Sequence, residues 1–130
     1  MFKQPDYVMV MVSDMARSVD FYRNKLGLRL KFESPDWTEF QTGPTTLALH
    51  GGGTPSRRSD AKRQEKSYAG TCSIGFNVED LEGTVEALSA QGVRFVMPPT
   101  LRQNEGLKLA ICTDPDGLPI SITQMLAGRD

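Results

Sequence analysis

Val12-Ser13-Asp14-Met15 opens a stretch that runs through Val19, Tyr22 and Leu26 to Gly27. Val78-Glu79-Asp80-Leu81 opens a second, through Val85 and Leu88 to Gly92. The copies are offset by 66 residues, becoming 65 at the final glycine. Chance self-similarity rarely keeps strand, cap, stripe and stop in the same order, so the chain reads as a duplicated module. Tyr7–Val12 and Cys72–Val78 are apolar, β-branched-rich runs and read as strands. Asp14 and Asp80 stand where a carboxylate accepts from the free N–H groups of a helical first turn. Met15, Val19, Tyr22 and Leu26 recur at intervals of four, three and four, and Leu81, Val85 and Leu88 follow the same rule. That spacing puts one apolar stripe on each helix. Gly27 and Gly92 supply the left-handed residue that commonly ends one.

Strand-like sequence follows each helix. In the first half it is Arg29–Glu33, Trp37–Gln41 and Thr45–His50, with turns at Ser34-Pro35-Asp36 and Thr42-Gly43-Pro44. In the second half it is Val93–Met97, Lys108–Thr113 and Pro119–Thr123. Asp114-Pro115-Asp116-Gly117 is a strong hairpin-turn signal and lacks the spaced oxygen ligands of a calcium loop. The reading is a single domain over residues 1–130: module one at about 5–50, a linker at 51–70 and module two at about 71–124. The linker opens on three glycines and sets Arg57, Arg58, Lys62, Arg63 and Lys66 against Asp60 and Glu65. It reads as a solvated connection; a flap over a pocket or an arm on a partner subunit is the functional alternative.

Fifteen basic residues against sixteen acidic ones leave a formal charge of −1. Nucleic-acid binding needs a clustered surplus of cations, so no nucleic-acid partner is expected. No apolar run is long enough to span a membrane, and Met1-Phe2-Lys3-Gln4-Pro5-Asp6 has no apolar signal core; the expected setting is cytoplasmic. Cys72 and Cys112 are too few for a disulfide scaffold and read as buried thiols. The single histidine, His50, excludes any mechanism that needs two imidazoles from one chain.

Taken together, Val12-Ser13-Asp14 leading into Arg17-Ser18-Val19-Asp20-Phe21-Tyr22 and Leu26-Gly27-Leu28 resembles the vicinal oxygen chelate (VOC) superfamily. Phe76-Asn77-Val78-Glu79-Asp80-Leu81, Gln91-Gly92-Val93 and the Asp114–Gly117 turn before Ile120 carry the resemblance through the second half. That superfamily includes the glyoxalase I, bleomycin-resistance and extradiol-dioxygenase families. The resemblance implies an α+β fold: two tandem βαβββ modules forming a curved mixed sheet around a cleft. It also implies where metal-dependent members keep their ligands, at the start of the first strand and in the fourth strand of each module. Those positions here are Tyr7, Ala48, Ser73 and Ser121. A phenol, a methyl and two hydroxyls are poor donors for zinc, nickel or iron. No metal and no cofactor are therefore expected, and the resemblance points to the metal-free, drug-binding branch.

Strand alternation gives the expected lining, since every second residue faces the same side. Val8, Val10 and Val12 face the helix, with Leu47, Leu49, Phe40, Ile74, Phe76 and Val78 also in the core. The cleft then receives Tyr7, Met9, Met11, Trp37, Glu39, His50, Ser73, Asn77 and Ser121, with Ala48 and Gly75 leaving room. Rings and thioethers suit a flat apolar guest. Each has an ordinary alternative: Met9 and Met11 as plugs, Trp37 as an edge cover, His50 as a surface side chain, Tyr7 bonded to backbone. The functional expectation is a homodimeric, cytoplasmic binding protein that sequesters a small aromatic natural product or antibiotic, as bleomycin-resistance proteins do. The competing expectation is a metal-free isomerase, cyclase or lyase of natural-product metabolism, with His50, Glu39 and Tyr7 moving protons. A third is a subunit or regulator whose cleft is vestigial.

Overall fold

The computed structural model describes residues 1–55 and 69–126. The chain forms two compact units, Met1–Ser56 and Arg57–Asp130. Most of the basic linker, Arg57 to Lys66 included, lies outside the described residues, so neither linker alternative is addressed.

The first unit runs β1 (Tyr7–Met11), α1 (Met15–Val19) with a π-helical turn (Asp20–Lys25), β2 (Arg29–Glu33), β3 (Trp37–Thr42) and β4 (Thr45–His50). Its four strands lie in the order β1-β4-β3-β2, with β1 parallel to β4 and the other pairs antiparallel. The second unit repeats the plan: β5 (Ile74–Asn77), α2 (Leu81–Ala90), β6 (Phe95–Arg102), β7 (Leu107–Thr113) and β8 (Pro119–Met125). Its order is β5-β8-β7-β6, with β5 parallel to β8. The fold is α+β, built from the two βαβββ modules that the repeat predicts. A parallel pair cannot be closed by a tight hairpin, so in each unit the first strand reaches the fourth only after a helical crossover.

Both caps form. Asp14 Oδ1 accepts from Arg17 N at 3.1 Å, and Asp80 Oδ1 accepts from Gly83 N at 3.1 Å. Gly27 and Gly92 end the helices at φ 77° and 86°. The first helix departs from plain α-helical spacing. Leu26 N bonds Phe21 O, five residues back, at 3.0 Å, and this wider turn brings both Phe21 and Tyr22 inward. Tyr22 meets Phe21 edge-on at 5.0 Å and Phe40 at 6.1 Å; with Val12 and Leu49 they make the first core. The second core holds Leu81, Ala110, Cys112 and Ile120. The Asp114 turn closes as expected: its Oδ1 accepts from Asp116 N at 2.9 Å and Leu118 N at 2.8 Å.

Three sequence expectations need correction. β6 occupies Phe95–Arg102 rather than Val93–Met97, passing through Pro98 and Pro99. It is the outer strand of its sheet, with irregular pairing between Phe95 and Thr100, where a missing N–H costs no ladder bond. β5 covers Ile74–Asn77 only, so Cys72 and Ser73 precede it. Cys72 is exposed rather than buried, whereas Cys112 is fully buried. Among the described residues, no helix is long and apolar enough to cross a membrane.

Ser18 is fully buried in α1, and its hydroxyl has no hydrogen-bond partner. An unsatisfied buried hydroxyl costs about 1–3 kcal/mol, and Ala is the better helix former. Ser18→Ala should therefore raise stability by about 1 kcal/mol in a urea melt; a loss would mean that the hydroxyl is satisfied in solution. Burial raises the Cys112 thiol from 9.0 to about 11. Its folded pKa lies above the unfolded value, so the stability it contributes is complete below pH 9 and fades as pH climbs towards 11. A thiol-specific reagent at pH 8 should titrate Cys72 at once and Cys112 only after denaturation. Two fast thiols in the native protein would contradict that burial.

Candidate functional site

Residues opposed across a sheet project from the same face, so the register sorts the first sheet into rows. On the face opposite α1, Met11, His50 and Trp37 form one row. Met9, Ala48 and Glu39 form the next, and Tyr7, Thr46 and Gln41 the third. The first unit thus brings six of the expected residues, Tyr7, Met9, Met11, Trp37, Glu39 and His50, onto one surface. Tyr7, Met9, Met11 and His50 are exposed, while Trp37 and Glu39 are half-buried. The expected helix-facing set is also in place by register. Phe40, Leu47, Leu49 and Val12 are buried, but Val8 on the outer strand stays 41% exposed.

Trp37 is the best-fixed member. Its N–H donates to Ser34 Oγ at 3.0 Å, and Ser34 Oγ donates to its carbonyl at 2.8 Å, so the Ser34-Pro35-Asp36 turn sets the backbone. Its indole Nε1 donates to Glu39 Oε2 at 2.7 Å, which sets the ring. Tyr7 lies 5.8 Å from Trp37 at 77°, and His50 lies 6.0 Å away at 89°. The three rings therefore make a continuous set of perpendicular planes centred on Trp37.

His50 Nδ1 lies 2.6 Å from Gly51 O. A carbonyl only accepts, so that contact is a hydrogen bond when Nδ1 carries the proton, and Nε2 then keeps its lone pair. The loop after His50 returns tightly to the sheet: Gly53 N bonds Val12 O at 2.9 Å, and a Cβ on Gly53 would come within 3.0 Å of that oxygen. The glycines that open the linker thus also anchor the end of β4. The expected His50–Glu39 pair is not among the contacts that form. Glu39 bonds Trp37 and faces Lys31, and no Glu39–His50 hydrogen bond occurs among the described residues.

Two residues that alternation alone did not bring forward belong to this face. β2 pairs Leu30 with Phe40 and then Phe32 with Glu39, so a bulge sets Lys31 and Phe32 together against one partner. Strict alternation would send Phe32 inward beside Leu30. The bulge turns it outward, where it is 53% exposed. Lys31 Nζ lies 3.6 Å from Glu39 Oε1 and donates to Thr46 Oγ1 at 3.3 Å, which places it on the same face. The sequence carries no signal for it, since Arg29-Leu30-Lys31-Phe32-Glu33 alternates as a regular strand would.

In the second unit the corresponding rows are Gly75, Ser121, Ile111, Met97 and Asn77, Thr123, Leu109, Thr100. Asn77 and Ser121 are where alternation put them, while exposed Ser73 precedes the strand. Met97, Leu109 and Ile111 make this face more apolar than the sequence reading proposed. Ser121 occupies the place in its sheet that Ala48 occupies in the first, central between the first strand and the third.

Tyr7, Ala48, Ser73 and Ser121 do not fit a resident divalent metal. Ala48 brings a methyl, and its neighbours in the row are a thioether, Met9, and a carboxylate already bonded to an indole, Glu39. Among the described residues, no three His, Cys, Asp or Glu side chains group so as to hold a metal ion.

Paired βαβββ modules, each with a helical crossover between parallel first and fourth strands, define a glyoxalase-like protein. Residues 4–122 match the Glyoxalase/Bleomycin resistance protein/Dioxygenase superfamily, and the chain belongs to it. The chain is 29% identical to the uncharacterized protein YraH of Bacillus subtilis over 128 residues, covering 92% of this chain and 96% of that one. It is 29% identical to a lactoylglutathione lyase of Pseudomonas aeruginosa over 146 residues, covering 92% and 81%. Among solved structures, SMU.1112c matches with a TM-score of 0.80 at 26% identity, covering 95% of this chain and 99% of that one. A glyoxalase family protein from Enterococcus faecalis matches with 0.77 at 26% identity, covering 94% and 98%.

Trp37 is the sole tryptophan, so its emission reports this face alone. Glu39→Leu should free the indole, seen as lower emission anisotropy and faster quenching by acrylamide, whereas Glu39→Gln should stay near the parent. No change in Glu39→Leu would mean that Tyr7 and His50 hold the ring by packing alone.

Proposed function

We propose that the protein binds a flat, conjugated small molecule on the ring-bearing face of its first sheet and releases it unaltered. Such sequestration would be of the kind that protects a cell from an aromatic natural product or antibiotic. The observation that carries the reading is the Tyr7–Trp37–His50 set, fixed at its centre by the Glu39 bond to the indole. A ring already immobilised loses little entropy when a guest stacks on it. Exposed Met9 and Met11 add soft, adaptable surface beside it. Ser73, Asn77 and Ser121 remain proposed ligand-contacting residues of the second module, taken by itself. A cytoplasmic homodimer remains the proposed form.

A metal-free enzyme is the competing reading, and one observation favours it. With Nδ1 donating to the Gly51 carbonyl, His50 holds Nε2 free as a base on the same exposed face. The lactoylglutathione lyase names of several relatives agree with an enzymatic reading.

Native mass spectrometry with a panel of aromatic antibiotics separates the two. Retention of a guest at unchanged mass, quenching Trp37 emission, supports sequestration. Trp37→Ala should then weaken binding about five- to tenfold, the equivalent of ~1 kcal/mol of lost ring contact. A guest whose mass changes, with turnover lost in His50→Ala, would replace sequestration by catalysis.

A further inference from the structure

The site proposed above is defined by its rings, but its charges state what the rings should carry. The bulge in β2 delivers Lys31 and Phe32 side by side onto the Trp37 face, both opposed to Glu39. Glu39 is already engaged through one oxygen and faces Lys31 with the other: its Oε2 takes the indole N–H at 2.7 Å, and its Oε1 is turned towards Lys31. Lys31 has free donors. Its ammonium has three donors, gives one to Thr46 Oγ1 at 3.3 Å, and sits 3.6 Å from Glu39, beyond ordinary hydrogen-bond reach. Its side chain is 53% exposed. The register adds Arg29, opposite Gln41, to the same face, whereas Glu33 pairs with Thr38 on the other. Among the strand residues the face therefore carries two cations against one committed carboxylate.

We infer that Lys31, presented by the β2 bulge, selects guests that join a flat ring system to an anionic group such as a carboxylate or phenolate. The anion takes the free ammonium donors while the ring lies against Phe32 and Trp37. A guest ammonium would have to displace Lys31 from Glu39 and face its charge directly. The inference rests on the aromatic-binding reading and adds to it the charge of the guest.

The test uses three isosteric probes, 2-naphthoate, 2-naphthalenemethanol and 2-naphthylmethylammonium, titrated calorimetrically into the full chain at low salt. The naphthoate should bind at least tenfold tighter than the alcohol, and the ammonium weaker than the alcohol. That preference should shrink as salt is added. In Lys31→Met the naphthoate-to-alcohol ratio should fall to about one, and Lys31→Arg should restore it. Lys31 is exposed, and circular dichroism of each variant checks its fold. If the alcohol binds but the naphthoate is no tighter, or if Lys31→Met keeps the preference, the anionic-guest inference falls and the aromatic site stands. If none of the three binds, the aromatic site falls and the inference goes with it.

Discussion

The parallel pairing of the first strand with the fourth sets everything else in each unit. In the first unit it runs from Tyr7 opposite Thr46 to Met11 opposite His50, extended by Thr46 N to Asp6 O and Val12 N to His50 O, both 2.9 Å. In the second unit Val78 N extends the same pairing to Thr123 O at 2.8 Å. Parallel neighbours demand a crossover, the crossover demands a helix, and the helix demands a start and a stop. Asp14 and Gly27, like Asp80 and Gly92, are the chemical form of those demands. The central fourth strand then has a partner on both sides. Its buried Leu47 and Leu49 lock the helix-facing parity, and with it the parity of every residue on the opposite face.

That chain of constraint explains which parts of the structure were legible in the sequence. Caps, stripes, the Asp114 turn and the alternation of β1, β3 and β4 each depend on residue type at a fixed local spacing. They could be read without knowing any neighbour. What escaped depends on neighbours. The π-helical turn at Asp20–Lys25 buries Phe21 beside Tyr22, whose ring in turn meets Phe40. The β2 bulge turns Phe32 outward against the rule that holds on either side of it. The extension of β6 through Pro98 and Pro99 is allowed only because β6 lies at the edge. Cys72 reads as buried when taken as the start of the Cys72–Val78 run, but it falls just before β5 begins. Lys31 and Phe32 were therefore missed for one reason: a period-two rule has no term for a bulge.

The duplicated architecture places Ala48 and Ser121 at equivalent positions on the central strands of the two sheets. Ala48 lies between Met9 and Glu39, and Ser121 between Gly75 and Ile111. Neither row concentrates negative charge or imidazole nitrogen. The polar groups of the first face lie one strand outward, in the pair of Glu39 and Lys31, while its centre is a methyl flanked by a thioether. The first face so arranged offers rings, a thioether and one directed charge.

Glu39 divides the two functional readings, because its carboxylate bonds the indole and not the imidazole. Holding the Trp37 indole requires Oε2 at 2.7 Å from Nε1. Orienting His50 with that oxygen would pull it from the indole, and orienting it with Oε1 would turn that oxygen away from Lys31, 3.6 Å off. Abandoning a half-buried indole N–H costs about 1–3 kcal/mol unless water replaces the bond. The histidine does not need the exchange, since the Gly51 carbonyl already lies 2.6 Å from its Nδ1. The carboxylate thus belongs to the ring and the ammonium whether or not His50 moves a proton. A catalytic version of this face would rest on an imidazole oriented by backbone, not on a carboxylate–imidazole pair.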